Sequence, residues 1–114
     1  MTEKQIESQI LTWLNYQPGV FAFKVNTTGV YDPTKKCFRK ITNPHVHRGT
    51  ADIIGVKNGH FFAIEVKTPV AIKKKPTQHD HNQTAFLEKV KFCKGTATRV
   101  CSLQDVIDLM REIP

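Results

Sequence analysis

The chain has 114 residues, 39% of them hydrophobic and 9% aromatic, which suits one globular domain with a modest core and excludes a disordered tail. A formal charge of +7 and a pI near 9.5 point to an acidic partner, nucleic acid before any other. No apolar run approaches the roughly 18 residues of a membrane span, and the polar start Thr2-Glu3-Lys4-Gln5 is not expected to act as a signal peptide.

Three widely spaced cysteines (Cys37, Cys93 and Cys101) support neither a disulfide framework nor a zinc ribbon. The expectation is a soluble, cytoplasmic protein with no membrane partner, and with Cys93 and Cys101 as small core residues.

In chain order, Thr2-x-x-Gln5 has the form of a capping box, and Ile6, Ile10, Trp13 and Leu14 follow at helical spacing. A first helix is predicted over 3–16, ended by Pro18-Gly19. Glu7 falls at the rim of its apolar stripe, beside Ile10, Leu11 and Leu14. Residues 20–27 alternate Phe21, Phe23 and Val25 against Ala22, Lys24 and Asn26, as a strand does. A charged segment over 30–41 follows, with a turn near Asp32-Pro33 and with Lys35, Lys36, Arg39 and Lys40 interleaved with aromatics. Two readings stay open for it: an excursion that grips the DNA backbone, or a plain surface hairpin. His47 and Arg48, placed to contact substrate, lead into Gly49, which lets the chain turn sharply. The pairs His45-x-His47 and His79-x-His81 lack cysteines at zinc spacing, so a zinc site is disfavoured.

Residues 49–67 organise the rest. Two apolar strands, 52–57 and 60–67, flank Asn58-Gly59, the strongest short-range signal for a type I′ hairpin. With those two residues as the turn, Lys57 pairs with His60, and stepping outward sets Asp52 opposite Glu65. Opposed side chains share a face, with Cβ atoms roughly 4.5–5.5 Å apart. Lys67 returns to that face two residues beyond Glu65. Like charges in that position are destabilising unless something offsets them. A solvated edge pair with Lys67 as counter-ion is one answer. A divalent cation is the other, favoured because these strands read as buried on both faces. Oxygen-only ligands suit Mg²⁺.

Residues 68–78 form a basic loop carrying Pro69, Lys73, Lys74, Lys75 and Pro76. A helix from about 79 carries Gln83, Phe86, Leu87 and Val90 and ends near Lys94-Gly95. Gln83 is expected to be exposed in its first turns. A core strand over 96–101 follows, then Ser102-x-x-Asp105 capping a last helix with Val106, Ile107 and Met110. This order predicts an α/β sandwich around a mixed sheet, the strands of Glu65 and Thr98 parallel through a right-handed crossover.

Asp52 followed by Glu65-Val66-Lys67 resembles the D…(D/E)-x-K core of the PD-(D/E)XK nuclease superfamily. With Glu7 on the first helix, Gly49-Thr50-Ala51-Asp52, and Gln83 opening the next helix, the chain is more narrowly similar to the virus-type replication-repair nuclease (VRR-NUC) domain. The likeness runs in order over nearly the whole chain. Ala51 departs from the proline of the superfamily name, at a position that shapes a turn and carries no chemistry.

That resemblance implies a single restriction-endonuclease-like domain over 1–114, with a mixed central sheet flanked by helices. It also implies Mg²⁺-dependent hydrolysis of DNA phosphodiesters, with Mn²⁺ able to substitute. Asp52 and Glu65 would bind the metal, helped by the Val66 carbonyl, and Glu7 would bind directly or through water. Lys67 would orient or deprotonate the attacking water, and Gln83 would support the site. Lys35, Lys36, Arg39, Lys40, His47, Arg48, Lys73, Lys74 and Lys75 would hold DNA. Stand-alone members look like resolvases of branched DNA acting as homodimers, which admits a phage-encoded protein in a host cytoplasm. The competing expectations are a non-catalytic DNA-binding module and a nuclease subunit of a larger replication or repair complex.

Overall fold

The structure, a computed structural model, describes residues 1–25, 31–38, 44–45, 47 and 49–114, with positions 31, 32, 37 and 38 described by backbone alone. The predicted first helix is α1 (Glu3–Tyr16), and its capping box forms. The Thr2 hydroxyl accepts the Gln5 N–H, and the Gln5 side chain accepts the Thr2 N–H. Ile6, Ile10 and Leu14 are buried, as the spacing required, and Glu7 is buried with them instead of lying at the rim.

The chain reverses into β1 (Val20–Lys24), where Asn15 ties helix to strand. Its Nδ2 donates to the Ala22 carbonyl and its Oδ1 accepts the Ala22 N–H, both at 2.9 Å. β1 is an edge strand, so Asn15 also satisfies backbone groups that would otherwise invite another strand. β2 (Tyr31–Asp32) and β3 (Cys37–Phe38) form a separate antiparallel pair on either side of the turn expected near Asp32-Pro33.

β4 (Ile53–Lys57) and β5 (His60–Val66) are joined by Asn58 and Gly59, both at positive φ (49° and 84°), as a type I′ turn needs. Their register is the predicted one, from Lys57↔His60 out to Ile53↔Ile64. The turn is also latched to the end of the chain. Lys57 Nζ donates to the carbonyls of Met110 and Ile113, at 2.6 and 2.7 Å, and Asn58 Nδ2 donates to the Pro114 carbonyl.

The basic loop contains one 3₁₀ turn, Ala71–Lys73, before α2 (Gln78–Phe92). This helix starts slightly earlier than predicted because Thr77 and Asp80 make a second capping box. At its far end Lys94, not Gly95, takes the left-handed conformation (φ 72°). Gly95 is needed for closeness instead, since a Cβ there would meet Val90 at 2.8 Å. Cys93 caps the helix and is exposed, so it is not the core residue expected. β6 (Thr96–Val100) and α3 (Leu103–Glu112) complete the chain, with Ser102 accepting the Asp105 N–H.

The sheet order is β1-β4-β5-β6, antiparallel except for β6, which runs parallel to β5. The result is an α/β fold with a mixed sheet flanked by helices. Along β5 the faces alternate. Phe62, Ile64 and Val66 join Ile6, Ile10 and Leu14 of α1 and Val106 and Met110 of α3 in the main core. Ala63 faces the other way, packing with Ala97 and Ala51 against Leu87 of α2. By the same alternation Glu65 and Lys67 belong to the α2 face. The outer half of that face is open among the described residues: Phe21, Val56 and Phe61 lie side by side in register and exposed.

Candidate metal centre

The β4–β5 ladder stops at Ile53↔Ile64, one residue short of the acids. Beyond it the Asp52 carbonyl accepts the Val25 N–H at 2.8 Å, and Asp52 Oδ2 accepts the Val66 N–H at 2.9 Å. A side chain thus replaces a ladder bond and aims the Asp52 carboxylate at the Glu65 strand. Glu65 is 1% exposed. Its Oε1 accepts from Gln83 Nε2 at 2.5 Å, while Oε2 is buried with no hydrogen-bond partner among the described residues.

Gln83 is therefore not the exposed residue the sequence suggested; it is 3% exposed and holds a carboxylate. Gly49 is what brings them together. It sits at φ 75°, and a Cβ there would lie 2.5–2.7 Å from backbone atoms of Asn82 and Gln83. Only glycine admits that approach.

Glu3, Asp52 and Glu65 can each offer an oxygen within 4.8 Å of the others. The helix acid that joins the pair is thus Glu3, one turn before the expected Glu7. Glu7 instead makes an ion pair with Lys24 at 3.0 Å. The cluster is electrostatically tense. Burial first, then the neighbouring Asp52 carboxylate, pushes the Glu65 carboxyl from 4.5 up to about 9, against the pull of Lys67. Burial and Asp52 also raise the Glu3 carboxyl.

Two acids facing each other have acceptors only, so either a proton or a cation must stand between them. The orphaned Glu65 Oε2 and an all-oxygen donor set fit a hard divalent ion.

No protein-family profile matches the chain, and no curated protein does. What the site can do must be read from its own residues.

Lys67 borders the cluster and is held by Asp80, with Nζ 2.8 Å from Oδ1. The Lys67 ammonium first, then the Thr77 backbone N–H, keep the Asp80 carboxyl far below the usual carboxylate range. Asp80 thus joins the helix cap to the lysine: its Oδ2 accepts the Thr77 N–H at 2.8 Å. The sequence reading missed both Glu3 and Asp80. Glu3 shared the helix face of Glu7 one turn earlier, and Thr77-x-x-Asp80 was a readable capping box.

The basic residues divide. Lys73 is exposed at the end of the 3₁₀ turn, Lys74 and Lys75 are exposed between that turn and α2, and Lys35 and Lys36 are exposed on the turn between β2 and β3. His47 packs edge-on against Phe86 (ring centroids 5.3 Å apart), with Lys89 Nζ 3.3 Å away. Arg39, Lys40 and Arg48 lie outside the described residues. No helix among the described residues is long and apolar enough to cross a membrane.

Proposed function

We propose that this chain is a divalent-metal-dependent DNA endonuclease of the VRR-NUC type, with Mg²⁺ the working ion and Mn²⁺ a substitute. The observation that carries the reading is the buried, donorless oxygen of Glu65 beside Asp52 and Glu3. Asp52, Glu65 and Glu3 would hold the ion, with the Val66 carbonyl as a further oxygen; Glu7 belongs to the support of Lys24. A bound divalent ion supplies a nucleophile at neutral pH and relief of charge on the phosphorane.

The protein's own residues do the rest. The Gln83 amide fixes Glu65, and the Val66 N–H fixes Asp52, so neither carboxylate pays rotamer entropy when it is used. Lys67 presents an ammonium on the same face, positioned to orient the attacking water and stabilise charge on the phosphoryl oxygens. The restriction-endonuclease-like arrangement, a branched-DNA substrate and a homodimer rest on the family likeness. The open row of Phe21, Val56 and Phe61 is the surface a second copy, or a larger replication complex, would cover.

Supercoiled-plasmid nicking with Mg²⁺ tests the reading, with Asp52→Ala as control. Cutting by the parent chain and none by the variant is expected. No cutting by the parent with any divalent ion would leave a DNA-binding module. A synthetic four-way junction cut no faster than linear duplex would remove the resolvase part and keep the nuclease.

A further inference from the structure

A cleft of about 320 Å³ opens between the 3₁₀ turn, the start of α2 and β6, a size at the low end of ligand sites. Its polar lining is Lys67, Lys74, Asp80, His81, Thr84 and Arg99. Lys67 and Asp80 neutralise one another, which leaves Lys74 and Arg99 as the unbalanced charges.

Arg99 is the informative residue. In the parallel pairing of β5 and β6 it stands in register with Glu65, one strand away, about 4.8 Å at the backbone. A buried glutamate beside an arginine would ordinarily form an ion pair. Here none forms among the described residues. Arg99 turns toward α2, where Nη2 donates to the Asp80 carbonyl at 2.8 Å and to Thr84 Oγ1 at 2.7 Å. These two bonds fix the guanidinium plane through one nitrogen and leave the rest of the fork for a ligand. The fold thus keeps a buried carboxyl and an oriented cation apart on neighbouring strands. The guanidinium is left for an anion from outside.

We infer that this cleft is a phosphate subsite, in which Arg99 and Lys74, with His81 and Thr84 alongside, bind a phosphate of the substrate strand next to the one cleaved. The assignment rests on the nuclease reading for its substrate, but the anion site stands on its own geometry. Two sources share the chemistry, an internal diester and a terminal monoester. Lys67, which borders both the cleft and the acid cluster, links the two.

The test has two arms. First, inorganic phosphate is titrated into the metal-free protein and followed by amide chemical shifts. Saturable shifts at positions 74, 81, 84 and 99 are expected, with affinity about tenfold weaker in Arg99→Lys, which keeps the charge and loses the fork. Lys74→Gln, at an exposed position, serves should Arg99→Lys fail to fold. Shifts elsewhere, or none, overturn the site.

Second, on a duplex whose cut is mapped, each linkage beside the cut is replaced by an uncharged methylphosphonate, and a 5′-phosphate is added or removed at a nearby end. One of these changes should raise KM about tenfold in the parent and at most twofold in Lys74→Gln, and which one does so names the source. Equal effects in both proteins overturn the subsite. Phosphate binding without cleavage of any DNA would retire the nuclease reading and keep the anion site; cleavage without phosphate binding would do the reverse.

Discussion

Two carboxylates flank Lys67, and the fold treats them in opposite ways. Asp80, at the start of α2, has donors on every side: the Lys67 ammonium, the Thr77 N–H and the Thr77 hydroxyl. Glu65, on β5, has one amide from Gln83, a second acid beside it and, among the described residues, no donor for its other oxygen. Accordingly Asp80 is held far down the acid range and Glu65 is pushed up to about 9. The lesson is about supply. A protein can satisfy a carboxylate with its own donors, as at the helix cap, and where it withholds them in a buried site it has left room for a cation.

The largest effect should come from breaking the undersupplied side. Glu65→Gln is expected to lower cleavage by about 10³-fold or more, on the scale of losing one preorganised electrostatic group, with DNA affinity kept. Single-turnover cleavage and filter binding check both, and a parallel fall in binding would count against the assigned role. Lys67→Ala should cost about 10²–10⁴-fold, while Asp80→Asn, which leaves the lysine in place, should cost far less. Equal losses would mean that the ion pair, and not the ammonium, is what matters.

Replacing Lys73, Lys74 and Lys75 together by glutamine should weaken DNA binding and lower the salt slope by up to about three units, near 0.9 per lost phosphate contact. An unchanged slope would place the DNA backbone elsewhere on the surface.

A gentler comparison uses pH. The folded-state value of Glu65 is raised, so its contribution to the metal-free fold is fully present below the ordinary value of 4.5 and is lost as pH rises toward about 9. Asp80 works the other way, its contribution fading as pH falls below the usual carboxylate range. Thermal melts of the metal-free protein should therefore decline from acid-neutral to alkaline pH. That decline should flatten in Glu65→Gln and on adding Mg²⁺. The smallest effect separates two neighbours: Glu3→Gln should weaken Mn²⁺ binding by calorimetry several-fold more than Glu7→Gln. The reverse order would return Glu7 to the metal site.

Much of this was legible because it is local. Asn58-Gly59 dictates a turn, the turn dictates register, and register brings Asp52 to the strand of Glu65 before any tertiary contact is known. The alternation along β5 likewise put Glu65 and Lys67 on one face. What escaped depends on how distant elements meet. Gln83 looked exposed because its own helix is polar around it, and only the approach of α2 to Gly49 buries it. Glu3 and Glu7 share one helix face, and nothing short of the docking of α1 decides which reaches Asp52. Cys93 looked like core because cysteine usually is, yet it falls on the helix cap, where the chain turns outward.

The other end of the same hairpin explains how such a site can be carried at all. Lys57 and Asn58 fasten the turn to the last carbonyls of the chain, more than fifty positions away. To fray, the ribbon would have to release the tail of α3 as well. With one end riveted in this way, the far end can carry two acids side by side, and an arriving ion has only to displace the proton that Glu65 holds in its place.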